Sequence, residues 1–374
     1  MIKICHIVNH ITGKADGVYT HLKMIFRCTD KNKFQHYLIF QGGEKVEKEL
    51  SEMGVKVFVC KSLKKKVSLK AFIDIYKFIR ENDIDIIHSH LIKPYSIAGL
   101  VNIFLRRKFI FNYHGLFIYN NVYYGIIEKF IYGLFHYLIN LFKAADVVLV
   151  PSKKSKELLI SETKLFPEPI VYYNGYYFPE TENGINSELY KYIEKLKSEK
   201  IIIAAVGRLN LDKRIDRAIN ILKQVRHKNT HLLVFGDGEL ESDLRELVKN
   251  LNLTEHIDLL GYVAGVNNYY KLFDIVLFTS DWEGMPLTMW EAMANKVPVL
   301  APDVGGFKEI LEENNCGIIY KPGNVNDAAE KLISLLEDHL LRIKLGNNGM
   351  TAIREKYNEE NFIKQIENVY SEGK

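Results

Sequence analysis

The 374 residues predict two α/β domains in tandem, each a doubly wound parallel sheet with helices on both faces. Three observations carry that prediction. Short apolar runs alternate with amphipathic stretches of helical period along most of the chain, the pattern of parallel strands joined by crossover helices. The alternation pauses once, over residues 174–199, in a polar segment holding Gly175, Pro179, Gly184 and one Lys/Glu-rich helical stretch. The charge also divides there: residues 1–178 carry 26 Lys and Arg against 15 Asp and Glu, a net of +11, whereas 179–374 carry 24 against 31, a net of −7. A basic domain joined to an acidic one suggests different partners for the two.

In the first half the apolar runs are IKICHIV (2–8), HYLIF (36–40), VKVFV (55–59), IDIIH (84–88), KFIFN (108–112), DVVLV (146–150) and PIVYY (169–173). Each reads as a strand, and stretches such as the one from Ser68 supply the helices between them. The second half repeats the grammar with IIIAAV (201–206), HLLVF (231–235), HIDLL (256–260), DIVLF (274–278), VPVLA (297–301) and CGIIY (316–320). A long helix or helix pair follows from about Asn326. The domains are therefore placed at 1–175 and 200–350, with 176–199 as linker and helix, and 351–374 as a terminal helix able to cross back to the first domain. Open parallel sheets bind ligands beyond the carboxyl ends of their strands. Two such domains facing across a cleft would hold a substrate between them.

Composition narrows the class. With 47% hydrophobic and 26% charged residues the chain is neither disordered nor collagenous. Cys5, Cys28, Cys60 and Cys316 form no C-x-x-C pair, so neither a zinc knuckle nor a disulfide framework is indicated, and a reducing cytoplasm fits. The opening MIKICHIV lacks the pattern of a signal peptide. The longest apolar stretch, Tyr123 to Phe142, is interrupted by Glu128, Lys129, His136 and Asn140, so it reads as amphipathic rather than membrane-spanning.

The residues with chemical potential cluster at strand ends of the second half. GRLNLDKRID puts Gly207 and Arg208 beyond one strand and Lys213 at the next helix start, where two cations and helix-terminal amides suit a diphosphate. Two surface cations are the plainer reading. Gly236 and Gly238 end the next strand, allowing either close ligand approach or a tight turn. Gly261, Tyr262 and Val263 follow the third, where a base could lie against backbone. In SDWEGMPLTMWEAMA, Glu283 stands beside the amides of Gly284 and Met285, Pro286 opens a helix and Glu291 lies within it. A carboxylate accepts paired hydroxyls, as a sugar or ribose presents them. The alternatives are a helix-dipole acid for Glu283 and a solvated acid for Glu291, although the apolar context of Glu291 calls for a partner.

In the first half His114, in NYHGLF, stands beyond a strand. His88 and His90 end another, without a third residue in a suggestive position to complete a metal site. Asp83 and Asp85 precede that strand, away from its carboxyl end, and Asn174-Gly175 reads as a turn.

GRLNLDK, FGDGELESDL, LLGYV, the E-x7-E element EGMPLTMWEAMA and DVGGFKEIL, in that order and spacing, resemble family 4 of the retaining GT-B glycosyltransferases across nearly the whole chain. The resemblance implies a GT-B fold of two Rossmann-like domains, with the first receiving the acceptor. It implies that Arg208 and Lys213 bind the donor diphosphate and that Glu283 holds donor-sugar hydroxyls with help from the amides of Gly284, Met285 and Leu287. By the same resemblance Glu291 holds the ribose, Gly261 to Val263 lie near the base, and His114 faces the reacting sugar. Two departures stand out. Asp212-Lys213-Arg214 replaces the usual Glu-Lys-Gly, adding a cation, and Asp16-Gly17 replaces the Gly-Gly of the first loop, so the approach of Gly17 to the donor phosphate is altered. The implied chemistry is metal-independent transfer with retention, the cations stabilising the departing phosphate.

KSLKKK (61–66), LRRKFIF (105–111) and the aromatic helix after Tyr123 interleave cations with aromatics, which suits an anionic membrane surface; a core helix with solvated lysines is the plainer reading. No nucleic-acid module is recognisable. With these features beside it, the resemblance implies a cytoplasmic-side hexosyltransferase expected to use a nucleotide-diphosphate sugar, UDP-linked, to extend a bacterial surface polysaccharide on a glycan or lipid-linked glycan acceptor. A nucleotide-sugar epimerase of the same fold and a non-catalytic partner subunit are the competing readings.

Overall fold

The computed structural model describes residues 1–11, 17–65, 67–114, 124–163, 167–178, 185–226 and 229–372. Its strands pair in parallel into two sheets. The first holds β1 (Ile2–Ile7), β2 (Phe34–Phe40), β3 (Lys56–Val59), β4 (Ile86–His90), β5 (Lys108–Asn112), β6 (Val147–Val150) and β7 (Ile170–Val171) in the order β3-β2-β1-β4-β5-β6-β7. The second holds β8 (Ile201–Val206), β9 (Thr230–Phe235), β10 (Ile257–Gly261), β11 (Ile275–Leu277), β12 (Val299–Pro302) and β13 (Gly317–Tyr320) in the order β10-β9-β8-β11-β12-β13. Each sheet is thus of Rossmann-like, doubly wound type. Its order reverses between β1 and β4 in one sheet and between β8 and β11 in the other, which is where such sheets open a crevice.

The strands are apolar on both faces because helices cover both. On one face of the first sheet Phe109 and Phe111 pack with Ile75, Tyr95 and Ile139. On the other, Ile4, Leu38, Ile86 and Ile110 meet Leu22, Ile25 and Phe26 of the helix Gly17–Cys28, and Phe362, Ile366 and Tyr370 of the helix Glu359–Ser371. The chain accordingly divides into two compact units, Met1–Gly175 with Glu359–Lys374, and Tyr176–Asn358.

Several boundaries differ from the sequence expectation. The helix Ser187–Glu199 belongs to the second unit rather than to a linker, since Ile193 is buried and Lys197 pairs with Asp274 at 3.1 Å. That unit extends to Asn358 rather than 350, and three helices, Val325–Glu337, His339–Glu355 and Glu359–Ser371, stand where one or two were expected. β4 starts two residues late because Asp83 takes a left-handed φ of 49° and the Asp85 carboxylate accepts the Lys3 backbone N–H at 2.8 Å. The shift brings both His88 and His90 into the strand, on the same face as Ile86. Helix starts follow ordinary capping: Ser68 Oγ accepts from Ala71 N at 3.1 Å and Ser152 Oγ from Ser155 N at 3.0 Å.

Candidate active site

In the second unit the residues beyond β8 and β11 converge. Lys213 Nζ donates to Glu283 Oε1 at 2.5 Å, and Ser280 Oγ donates to the same oxygen at 2.7 Å. Glu283 is buried, so this pair supplies the compensation that a buried carboxylate needs. Thr279 Oγ1 holds the Lys213 carbonyl at 2.9 Å, and the Asp281 N–H reaches the Asp212 carbonyl at 2.9 Å, tying the two loops together. Arg208 lies in the first of these loops, exposed and without a side-chain partner among the described residues. The additional cation, Arg214, has a structural use. Its guanidinium bonds Asp216 at 2.9 Å and Asp281 at 3.1 Å, and Arg217 also pairs with Asp281. Asp216 beside it pushes the Arg214 pKa up.

Glu291, inside the helix Leu287–Ala294, accepts the Tyr270 hydroxyl at 2.7 Å, which is the partner its apolar context demanded. Burial, then Glu291, pushes the Tyr270 pKa well up. Pro286 is the N-cap of that helix, with extended backbone, rather than its first residue. Gly284 and Met285 are buried beside Glu283, and the Gly306 N–H bonds the Gly284 carbonyl at 3.0 Å. Tyr262 is exposed and Val263 half-buried beyond β10. The glycines divide. A Cβ on Gly236 would lie 1.8 Å from the Gly207 carbonyl oxygen, and one on Gly238 would lie 2.4 Å from that of Leu209. Both are therefore required by contact between neighbouring loops of the chain, whereas a Cβ on Gly261 would meet open space.

The first unit places a different chemistry at its switch point. His6 lies next to last in β1, His36 on β2, His88 and His90 among the last three residues of β4, His114 after β5, and His21 on the helix Gly17–Cys28. All but half-buried His114 are buried. Ring nitrogens bond directly: His36 Nδ1 to His6 Nε2 at 3.1 Å, His6 Nδ1 to His90 Nε2 at 3.2 Å, and His90 Nδ1 to His114 Nε2 at 3.0 Å. His21 Nδ1 meets Asn174 Oδ1 at 3.1 Å, so Asn174 does more than make a turn, and Asn112 Nδ2 lies between His21 Nε2 (3.0 Å) and His114 Nε2 (3.1 Å). His88 Nδ1 meets the Tyr370 hydroxyl at 2.9 Å. Burial pushes His36 and His88 down to about 3 and His114 to about 4, and holds His6, His21 and His90 well below the usual range. These rings are neutral at pH 7.

The expectation that His88 and His90 lack a third neighbour is corrected. Nitrogens of His6, His88 and His90 lie within 4.8 Å of one another, as do those of His21, His90 and His114. No carboxylate joins either trio among the described residues, so a dication there would be buried without a counter-charge. Sequence reading missed His6, His21, His36, Ser280 and Tyr270. The available signal was His6 within one apolar run and the alternation of His88 and His90 at the carboxyl end of another. Gly17 begins its helix, while Asp16 lies outside the described residues, as do Lys66 and the residues directly after His114.

The geometry defines a class: two Rossmann-like units, with a Lys–Glu pair at one switch point and polar uncharged rings at the other. Comparison with known proteins gives the family. Residues 15–176 match the family model "Glycosyltransferase Family 4", and residues 186–351 match "Glycosyl transferases group 1". The chain belongs to these GT-B glycosyltransferases.

Among relatives, an Escherichia coli UDP-Gal:alpha-D-GlcNAc-diphosphoundecaprenol alpha-1,3-galactosyltransferase is 24% identical over 99% of this chain and 96% of its own length. The Staphylococcus aureus (strain COL) poly(ribitol-phosphate) alpha-N-acetylglucosaminyltransferase is 29% identical, but the match spans 47% of this chain and 36% of that enzyme. In fold, a crystal structure of Anabaena Alr3699/HepE in complex with UDP superposes with a TM-score of 0.80 at 19% identity, covering 99% of this chain and 100% of that one.

Proposed function

We propose that the protein transfers a hexosyl group, with retention and without a metal, from a UDP-sugar to a glycan or lipid-linked glycan acceptor in bacterial surface polysaccharide synthesis. The observation that carries this is the Lys213–Glu283 pair at the β8/β11 switch point, with Arg208 exposed beside β8. Lys213 has three N–H donors and gives one to Glu283, so two remain for diphosphate oxygens. Arg208 adds a planar donor fork. When the bond from the anomeric carbon to the phosphate oxygen breaks, both cations stabilise the charge left on the nucleoside diphosphate. The acceptor oxygen forms its bond on the same face, and its proton passes to the departing phosphate. Glu283 orients donor-sugar hydroxyls and Glu291 the ribose, and His114 bonds a substrate hydroxyl. The E. coli relative, matched over nearly its whole length and named for a UDP-linked donor and a diphosphoundecaprenol acceptor, supports the donor and acceptor classes.

An anionic membrane surface is the proposed meeting place with the acceptor. No helix among the described residues is long and apolar enough to cross a membrane. The helix Ile126–Leu141 instead leaves Ile126 (88% exposed), Phe130 (72%), Leu134, Tyr137 and Leu141 on its outer face, three or four residues apart. Exposed Lys64, Lys65 and Arg106 come from the same unit. An apolar stripe with basic residues in the same unit fits insertion at the level of lipid headgroups. Phe130→Glu with Leu134→Glu should abolish binding to vesicles containing anionic lipid; unchanged binding would remove the membrane from the proposal.

The donor test is thermal stability with UDP, GDP, ADP and their sugar conjugates, in native protein and Lys213→Ala. A ligand at 100 times its dissociation constant adds about 2.7 kcal/mol to the folded state. Stabilisation by UDP compounds that is lost in the variant supports the reading. Conversion of a UDP-sugar without release of UDP would point to an epimerase, and no response to any nucleotide to a non-catalytic subunit.

A further inference from the structure

Five side chains of the first unit stand in file: Thr29 Oγ1 to His36 Nε2 at 2.8 Å, His36 Nδ1 to His6 Nε2 at 3.1 Å, His6 Nδ1 to His90 Nε2 at 3.2 Å, and His90 Nδ1 to His114 Nε2 at 3.0 Å. Every ring between the ends uses both nitrogens. A neutral imidazole has one donor and one acceptor, so fixing the direction of one link fixes all of them.

The Thr29 end supplies that direction. Its hydroxyl donates to the Ile25 carbonyl at 2.8 Å, and a carbonyl only accepts. Thr29 Oγ1 must therefore accept from His36 Nε2–H. His36 Nδ1 then carries a lone pair and accepts from His6 Nε2–H. His6 Nδ1 accepts from His90 Nε2–H in turn, and His90 Nδ1 accepts from His114 Nε2–H. The premise that the rings are neutral rests on burial, which depresses all four, with no carboxylate against them among the described residues.

We infer that this file is a one-directional hydrogen-bond chain that holds His114 with the hydrogen on Nε2 and the lone pair on Nδ1, making Thr29, His36, His6 and His90 positioning residues for a substrate hydroxyl. Asn112 Nδ2 now faces a donor at His114 Nε2, and a half-turn of that amide presents Oδ1 to both His114 Nε2 and His21 Nε2. The matching half-turn of Asn174 donates to His21 Nδ1, and no two hydrogens face each other along these links. Resting on the transferase reading, the role follows: Nδ1 of His114 is a fixed acceptor for a hydroxyl hydrogen of a substrate. A site built to bond a hydroxyl rejects the deoxy analogue strongly.

The test is the nitrogen spectrum of 15N-histidine-labelled full chain at pH 7, with His114 assigned through His114→Gln. The native protein should show His114 as the Nε2–H tautomer. Thr29→Val, of equal shape, should give mixed tautomers at His114 and lower kcat about five- to tenfold, with KM little changed; Thr29→Ser should restore both. A native His114 carrying its hydrogen on Nδ1, or a Thr29→Val spectrum unchanged at His114, would overturn the chain. So would a transition metal found by elemental analysis of the native protein, since coordination through His90 Nε2 would put that ring's hydrogen on Nδ1 and reverse the link to His114. The spectra need no substrate. A correct native spectrum from a protein inert toward every nucleotide sugar would therefore overturn the positioning role through the transferase reading, not through the chain's direction.

Discussion

The two units present unlike chemistry at equivalent places in like sheets. Beyond β8 and β11 polarity is ionic: Lys213 on Glu283, and Arg214 and Arg217 on Asp281. Toward the carboxyl ends of β1 and β4 and beyond β5 it is neutral, made of imidazoles whose charge burial has removed. A cationic loop recognises an anion through charge, and tolerates movement because Coulomb forces fall slowly with distance. A set of neutral rings recognises by which atom bears a hydrogen, which demands fixed geometry. The difference matches a division of labour between holding a diphosphate and aligning a hydroxyl.

The largest effect should come from breaking the ionic side. Lys213→Ala and Glu283→Gln should each lower kcat by about 10²–10³-fold, the scale for removing a charge-stabilising contact at a reacting centre. Steady-state release of UDP measures it, and a loss under threefold would refute the assignment. Next is acid stability, where the neutral side should fail first. His36 and His88 titrate near 6.5 when unfolded and near 3 when folded, and His114 near 4 when folded. Below about pH 6.5 the unfolded chain therefore binds more protons, so stability is complete above that value and falls as pH drops toward 3–4, by several kcal/mol in total. Limited proteolysis at pH 4.5 should cut within the first unit and spare Tyr176–Asn358; equal cutting of both units would contradict this comparison. The smallest effect is expected at Arg214→Ala. It removes two ion pairs that are partly exposed and therefore screened, and chemical denaturation should register a loss of about 1 kcal/mol or less.

The ionic side was largely legible in the sequence because its residues sit in two short segments, 207–214 and 280–291, each read directly off a strand end. What escaped were the partners: Ser280 within the same loop as Glu283, and, across loops, Tyr270 under Glu291 and Asp281 holding Arg214. The neutral side was not legible as a unit. His6, His36, His88 and His90 meet only through register across three neighbouring strands, and a two-residue slip of β4 decides whether His90 belongs to them. Gly236 and Gly238 left two readings open in the sequence, ligand approach and a tight turn, and the structure adds a third demand, since the atoms they admit are carbonyl oxygens of Gly207 and Leu209.

The helix Glu359–Ser371 covers one face of the first sheet and supplies Tyr370 to His88, although the second unit lies between them in the chain. During synthesis the second unit, contiguous from Tyr176 to Asn358, has all its parts before that helix exists. The first unit must wait with its histidine-bearing face uncovered until residues 359–371 leave the ribosome. The part made first is therefore the part finished last, and a nascent chain halted before residue 359 should bind a chaperone for exposed apolar surface through its oldest residues rather than its newest.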